Sequence, residues 1–378
     1  MIKNRLNKNT LFLSLIITYI PLFKYFIFLN NNKGHSFMTA DWLINYKYGF
    51  INRGLIGNLF WSITDDPNLL LDIISFFLIL IYIFIFYFFN KIFISKKQNF
   101  LSIVLIFSPA AFLFPIYDSQ GAFRKEILGI LALFILASNI KSKNNYWFLL
   151  SSFVYTIGIF SHTVNFFFLS TILYLIYFVK KSKKIFDYSL FIIPSVTYIF
   201  FHFSFSNTEA LLFSMRNKMC EDLREIGLFN LCGHGSFDYL TWDLNAAFLI
   251  TQNIIINERR QEYYFYIFLF LISFIPYLFD KNFKNNLLFY IFIGTSFAPL
   301  FLLAYDWGRW IFIMHICFLV NYLLSDKQST NNKYFFILVL FPILFRIEHC
   351  CDPIFQFNRE YVLSNLSYLI QNIYNIFY

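Results

Sequence analysis

The chain has 378 residues, 58% of them hydrophobic and only 13% charged, with a formal net charge of +9. A water-soluble domain would normally carry about 25% charged residues, so a soluble enzyme is excluded and an integral membrane protein is expected. No repeat, low-complexity tract or soluble appendage marks a second domain, and residues 1–378 read as a single all-α, multi-spanning membrane domain.

Apolar runs near the length that crosses a bilayer as a helix recur from end to end. They predict eleven spans, at 11–29, 69–90, 100–116, 126–140, 146–160, 163–179, 185–205, 262–279, 287–303, 311–324 and 334–346. The first is followed by so many others that it reads as an anchor rather than a cleaved signal peptide. Short connections at 91–97, 141–143, 180–184, 280–284 and 325–333 fall on one side with the N-terminus. Together they hold 15 lysines and one arginine against Asp187, Asp280 and Asp326. Positive residues stay in the cytoplasm, which places the N-terminus inside. The other side holds nine arginines, four lysines and 18 acids. Arginine there runs against the positive-inside rule, and its planar fork suits bidentate capture of phosphate or carboxylate. The outer face is therefore where chemistry is expected.

The first outer segment, 30–68, contains "TADWLINYKYGFINRGLIGNLFW", with Asp41, Arg53 and three glycines that permit tight turns or close approach to a ligand. Its alternative is an ordinary interfacial helix. The next, "YDSQGAFRKEI", packs Asp118, Arg124, Lys125 and Glu126 into a short hairpin; an ionisable group such as Glu126 entering a span is costly and usually serves a purpose. "FSHTVNFF" places His162 at another outer turn. The long outer segment 206–261 reads as a periplasmic loop. It opens on the Ser-x-x-Glu spacing of a capping box, Ser206 to Glu209, and carries Arg216, Lys218 and Arg224. Apolar positions across 240–257 then predict a helix lying along the membrane surface. In "AYDWGRWIF", Asp306 and Arg309 stand at helical i, i+3 spacing and are expected to pair. A topological staple flanked by the belt aromatics Trp307 and Trp310 is the alternative. "FRIEHCCDP" brings Arg346, Glu348 and His349 to the end of the last span, and 361–378 reads as an interfacial helix.

Cys220 and Cys232 share the long outer segment, where an oxidising compartment allows a disulfide. No spacing forms a strong metal signature, and there is neither a Walker loop nor a dinucleotide-binding glycine pattern. No cofactor, no metal and no nucleic-acid partner are expected. Acids such as Asp41 could still hold a hard cation beside phosphate.

In architecture, over the whole chain, the sequence resembles the Wzy-type O-antigen polymerases: about eleven spans, an N-terminus inside, a large late outer loop and outer-face arginines. The resemblance rests on no sharp motif. It implies a bacterial inner-membrane enzyme that joins undecaprenyl-pyrophosphate-linked oligosaccharides at the periplasmic face, to build O-antigen or capsule. The lipid-linked oligosaccharide, membrane lipid and a chain-length regulator protein are the partners it implies. Such chemistry needs cations to stabilise the departing pyrophosphate, for which Arg53, Arg124, Lys125, Arg216, Arg224 and Arg309 are candidates. It also needs a base for the acceptor hydroxyl, for which Asp41, Glu126, His162 and Asp306 are candidates. The placement of Asp41 in the first outer loop also resembles membrane glycosyltransferases of the GT-C class, which add one sugar from a polyprenyl-phosphate donor. A lipid-linked oligosaccharide transporter is the third reading and would gather ionisable groups at mid-membrane depth, where Lys24, His202 and His315 are the few candidates.

Overall fold

Where no water reaches, backbone N–H and C=O groups must satisfy one another, and an apolar run does so as a helix. The computed structural model describes residues 9–95, 100–142, 144–205, 208–233, 235–242, 244–280, 282–325 and 345–350, and among them there are helices and turns but no strand element. Helix α1 (Thr10–Asn31) packs along α3 (Pro67–Ile94), and between them lie a 3-10 turn, Ala40–Leu43, and the short helix α2 (Leu55–Trp61). Helix α3 starts cleanly because Asp66 accepts a hydrogen bond from the Leu69 N–H at 2.7 Å and Pro67 takes the first position. The segment between α1 and α3 is not a surface helix: Ala40, Asp41, Trp42 and Leu43 are all buried, and α2 packs against α8 (Tyr146–Ser161). Gly57 makes that seating possible, since a Cβ there would lie 2.0 Å from the Ile44 carbonyl oxygen.

The expected span at 100–116 is interrupted. Helix α4 ends at Ile106, turns follow, and α5 is only Phe114–Tyr117. Pro109 has no N–H and disfavours a helical Ser108 before it, while the Ser108 hydroxyl accepts from the Ala110 N–H at 3.2 Å. Helix α6 (Ser119–Ala122) is capped by Asp118, and α7 (Ile127–Ser138) follows directly. The expected span at 163–179 is a composite: a 3-10 turn, Thr163–Phe167, then α9 (Phe168–Tyr174), then a wider π turn, Leu175–Val179. Helix α10 (Ile185–Ser204) comes next.

The long outer segment begins with α11 (Glu209–Glu225). Its cap is Thr208, which accepts from the Leu211 N–H, so Glu209 is the first helical residue and not the third position of a capping box; Ser206 lies outside the described residues. The predicted surface helix over 240–257 is also cut. Leu240 belongs to a 3-10 turn, α12 spans only Leu244–Asn253, and Ile254–Glu258 widens into a π turn. Helices α13 (Arg260–Leu278), α14 (Phe283–Leu303) and α15 (Trp307–Leu324) close the described bundle. Apart from Phe345 and Arg346, the expected span 334–346 lies outside the described residues, as does the helix expected at 361–378.

Among the described residues five helices, α1, α3, α10, α14 and α15, are long and apolar enough to cross a membrane, as in a multi-pass membrane protein. They divide into two kinds. In α15 every residue from Gly308 to Leu324 is buried, and it touches α7, α13 and α14. A helix apolar all round belongs at the centre of a bundle. Helix α10 instead turns Ile193, Phe200 and Phe203 outward, each more than 60% exposed, a face suited to lipid tails.

Candidate functional site

The N-terminal end of α15 meets the N-terminal end of α7, and the charged residues cluster there. Arg309, buried in α15, donates from Nη1 to Asp306 Oδ2 at 2.7 Å and from Nη2 to Glu126 Oε1. The expected i, i+3 pair therefore forms, but it is one half of a triad whose other carboxylate is the N-cap residue of α7. Both carboxylates orient a single guanidinium and take one N–H each, which leaves three of its five donors for a ligand. Its Nε is the one atom without a partner.

Asp41 sits among Lys125, Arg124, His162 and Arg53, fully buried, and neither of its carboxylate oxygens has a hydrogen-bond partner. Burial alone would favour the neutral acid. The surrounding positive charges overcome it and hold Asp41 well below the usual carboxylate range. Lys125 donates to the Arg53 carbonyl at 2.6 Å, and burial pushes its ammonium down to about 8, with Asp41 opposing the fall. Arg124 donates from Nη1 to the Phe37 carbonyl at 3.1 Å and to Ser236 Oγ at 3.2 Å. It thereby joins the first outer segment to the 235–242 segment. Arg53 makes no hydrogen bond or ion pair from its guanidinium to any described residue.

His162 closes the group. Its Nδ1 accepts from the Val164 N–H at 3.2 Å, which leaves the proton on Nε2, 3.9 Å from Glu126 Oε1. Burial pushes this imidazole down to about 3, so it is neutral at physiological pH. In this tautomer the Nε2–H points toward Glu126 without reaching hydrogen-bond distance, and the Nδ1 lone pair is engaged by the Val164 N–H. Four cations, Arg53, Arg124, Lys125 and Arg309, thus face three carboxylates, Asp41, Glu126 and Asp306, and the cluster carries an excess positive charge.

A cavity of about 180 Å³ opens against this cluster. Arg53, Arg124, His162, Asp306 and Arg309 line it together with the rings of Tyr239, Trp242, Tyr305 and Trp310, and the Arg309 guanidinium lies over the Trp310 ring at 4.7 Å. The Tyr239 and Tyr305 hydroxyls hydrogen-bond to each other across the wall. His349 and Cys350 complete it. Asp118 accepts from His349, whose Nδ1 lies 2.6 Å from Oδ2. Burial opposes charge on both partners, yet their mutual attraction holds Asp118 below and His349 above their ordinary values.

Eight of the ten residues expected at the site converge here: Asp41, Arg53, Arg124, Lys125, Glu126, His162, Asp306 and Arg309. Two do not. Arg216 pairs with Asp238 at 2.5 Å on α11, and Arg224 is exposed on the same helix. Helix α11 is itself tied down by the Cys220–Cys232 disulfide and by Lys47, whose Nζ lies 2.9 Å from Asp222. The expectation passed over the Asp118–His349 pair and the aromatic wall. The Tyr-x-x-Trp spacing at 239 and 242 was a signal available for the latter. The mid-chain ionisable groups do not gather: Lys24 is exposed, and His315 is buried against the Tyr277 hydroxyl at 3.3 Å. Comparison with protein families, curated proteins and solved structures finds no match to this chain.

Proposed function

We propose that the chain is a multi-pass glycosyltransferase of the bacterial inner membrane. In this reading eleven spans place the N-terminus in the cytoplasm and the cavity at the periplasmic face. The enzyme joins undecaprenyl-pyrophosphate-linked repeat units into O-antigen or capsule. One observation supports this reading: arginines and tyrosine and tryptophan rings line the same cavity, and a buried carboxylate, Asp41, with no hydrogen bond to any described residue lies behind it. Arginine forks suit the oxygens of a pyrophosphate, and aromatic faces pack against the C–H faces of a sugar ring. At about 180 Å³ the cavity falls below the roughly 300–1,000 Å³ of pockets that enclose a drug-sized ligand. It would therefore seat the reacting end of a lipid-linked sugar while the rest of the chain lies outside.

In the transfer step the acceptor hydroxyl oxygen bonds to the donor's anomeric carbon. The bond from that carbon to the pyrophosphate oxygen breaks, and the electron pair leaves with the pyrophosphate. Arg53, whose guanidinium hydrogen-bonds to no described residue, and Arg124 take up that developing charge. The hydroxyl proton goes to a carboxylate; Asp41 is the candidate that no hydrogen bond to a described residue holds, and it lies behind the cavity-lining residues, not among them. Glu126 and Asp306 are committed to Arg309.

The position of Asp41 in the first loop, with both oxygens unengaged, also favours the GT-C reading, in which one sugar is added from a polyprenyl-phosphate donor. Deleting the gene in its host and running the extracted polysaccharide on a gel separates the two. A polymerase deletion collapses the ladder to core plus a single repeat, and Arg53→Ala or Asp41→Ala fails to restore it. A single-sugar transferase deletion removes or shortens the repeat itself. An unchanged ladder would sink both.

A further inference from the structure

The residues 345–350 reach the cavity as extended chain docked on the first turn of α15. The Gly308 N–H donates to the His349 carbonyl at 3.1 Å, and the Tyr266 hydroxyl donates to the Glu348 carbonyl at 3.1 Å. A Cβ at Gly308 would stand 1.7 Å from the Glu348 carbonyl oxygen, so only glycine lets the segment lie this close. The docking puts His349 and Cys350 beside Asp306. One ligand atom from each of the three lies within 4.8 Å of the others. In a tetrahedral zinc site with bonds of about 2.0–2.3 Å, ligand atoms stand roughly 3.4–3.8 Å apart. A closure of about 1 Å would complete the geometry.

A second observation points the same way. His349 is held through Nδ1 by the buried Asp118 carboxylate, at 2.6 Å. That is the carboxylate–histidine arrangement by which proteins orient a metal-binding imidazole, and it leaves Nε2 to face an ion. The Asp306 carboxylate is likewise held, by Arg309. Each of these two ligands thus has a group behind it that fixes its direction. Thiolate, imidazole and carboxylate together suit zinc, a borderline-soft ion, better than magnesium or calcium, which take oxygen.

We propose that Asp306, His349 and Cys350 bind one zinc ion, with the fourth coordination position open to the cavity. Three protein ligands and one open position are the pattern of zinc sites that receive an exchangeable ligand. On binding, the ion displaces the thiol proton of Cys350 and the Nε2 proton of charged His349, both of which go to solvent, and takes the two freed lone pairs. The site follows from the geometry of the cavity wall. Its use, a phosphate oxygen of the lipid-linked donor as the fourth ligand, rests on the glycosyl-transfer reading.

The test is metal content and cobalt spectroscopy on the full chain, purified in detergent with a tag that contains no histidine. About one zinc per chain is expected after dialysis against metal-free buffer. Cobalt exchanged into the same protein should give an intense thiolate-to-cobalt charge-transfer band. Cys350→Ser should abolish the band, and His349→Ala should remove most of the metal. Asp118→Asn should weaken zinc binding about 10–100-fold, as loss of a supporting partner does. Wild-type protein that holds no stoichiometric zinc, or shows no such band with cobalt, overturns the proposal whatever the variants do. So does metal that survives both Cys350→Ser and His349→Ala unchanged. None of these readings depends on activity, so a metal site in a protein that transfers no sugar would be recognised as such.

Discussion

At the scale of single residues, Arg309 is where sequence and structure meet most closely. Its spacing from Asp306 was enough to foresee their ion pair, because i, i+3 neighbours share a helix face. The second partner was illegible: Glu126 is 183 residues away, and nothing in either local sequence names the other. Arg309 and Glu126 are buried and Asp306 is half-buried, so removing the cation strands one fully buried carboxylate and one partly exposed one. Arg309→Ala is expected to cost about 3–5 kcal/mol, seen as a large fall in the thermal midpoint of the detergent-solubilised protein. Arg309→Lys keeps the charge but not the fork and should fall in between. Equal midpoints for wild type and Arg309→Ala would show that the triad adds nothing to stability.

Lys125 gives a pH signature. Its ammonium is pushed down to about 8 from 10.5, so the folded state disfavours the charged form. Between pH 8 and 10.5 the unfolded chain holds a proton that the folded chain has released, and stability from this group rises with pH. Below pH 8 both states are protonated and the contribution is flat. The rise across that window is on the order of 3 kcal/mol, at 1.36 kcal/mol per unit. Denaturation measured from pH 7.5 to 10 should show it in wild type and lose it in Lys125→Arg, whose guanidinium stays charged. An identical slope in both would assign the effect elsewhere.

At the scale of elements, helix positions followed the hydrophobic pattern and failed where one proline or one cap decided. The span expected at 69–90 is observed as α3, Pro67–Ile94, with its proline and aspartate cap visible in the sequence. The span expected at 100–116 breaks because composition cannot show that the chain turns at Pro109 to carry Asp118 inward. Backbone contacts between distant elements were equally hidden. Gly308 looks like any small residue in an apolar run, yet Gly308→Ala should unseat 345–350 from α15. Limited proteolysis would read this as new cleavage near Arg346, and an unaltered digest would argue that the segment docks by other means. The Cys220–Cys232 bond closes a loop with a sequence separation of 12. By analogy with loops of that size it contributes about 3 kcal/mol, so reducing it should expose α11 to protease before the rest of the chain.

At the scale of the whole molecule, the lysine and arginine distribution predicts which end of the bundle faces the cytoplasm. The structure groups these residues around two different cavities. Lys180, Lys184 and Asp187 lie together around one cavity, with Lys141 beside them, while the arginine cluster surrounds another. Single cysteines at Lys181 and Arg224 should therefore be labelled by an impermeant reagent from opposite faces of an intact membrane. Labelling of both from one face would overturn the topology. The convergence of eight ionisable residues from four segments could not be read from sequence, because helix order along a chain does not determine which ends meet.

That convergence also sets a clock. Glu126 leaves the ribosome 183 residues before Arg309, the guanidinium that neutralises it. At about 5–20 residues per second of synthesis, the interval is roughly 10–40 s. During that time a carboxyl group at the head of an apolar helix lacks its closest ion-pair partner and has only neighbours such as Arg124 and His162 to offset its charge. A chain stopped short of Arg309 would never leave that condition and should be a preferred substrate for membrane quality control.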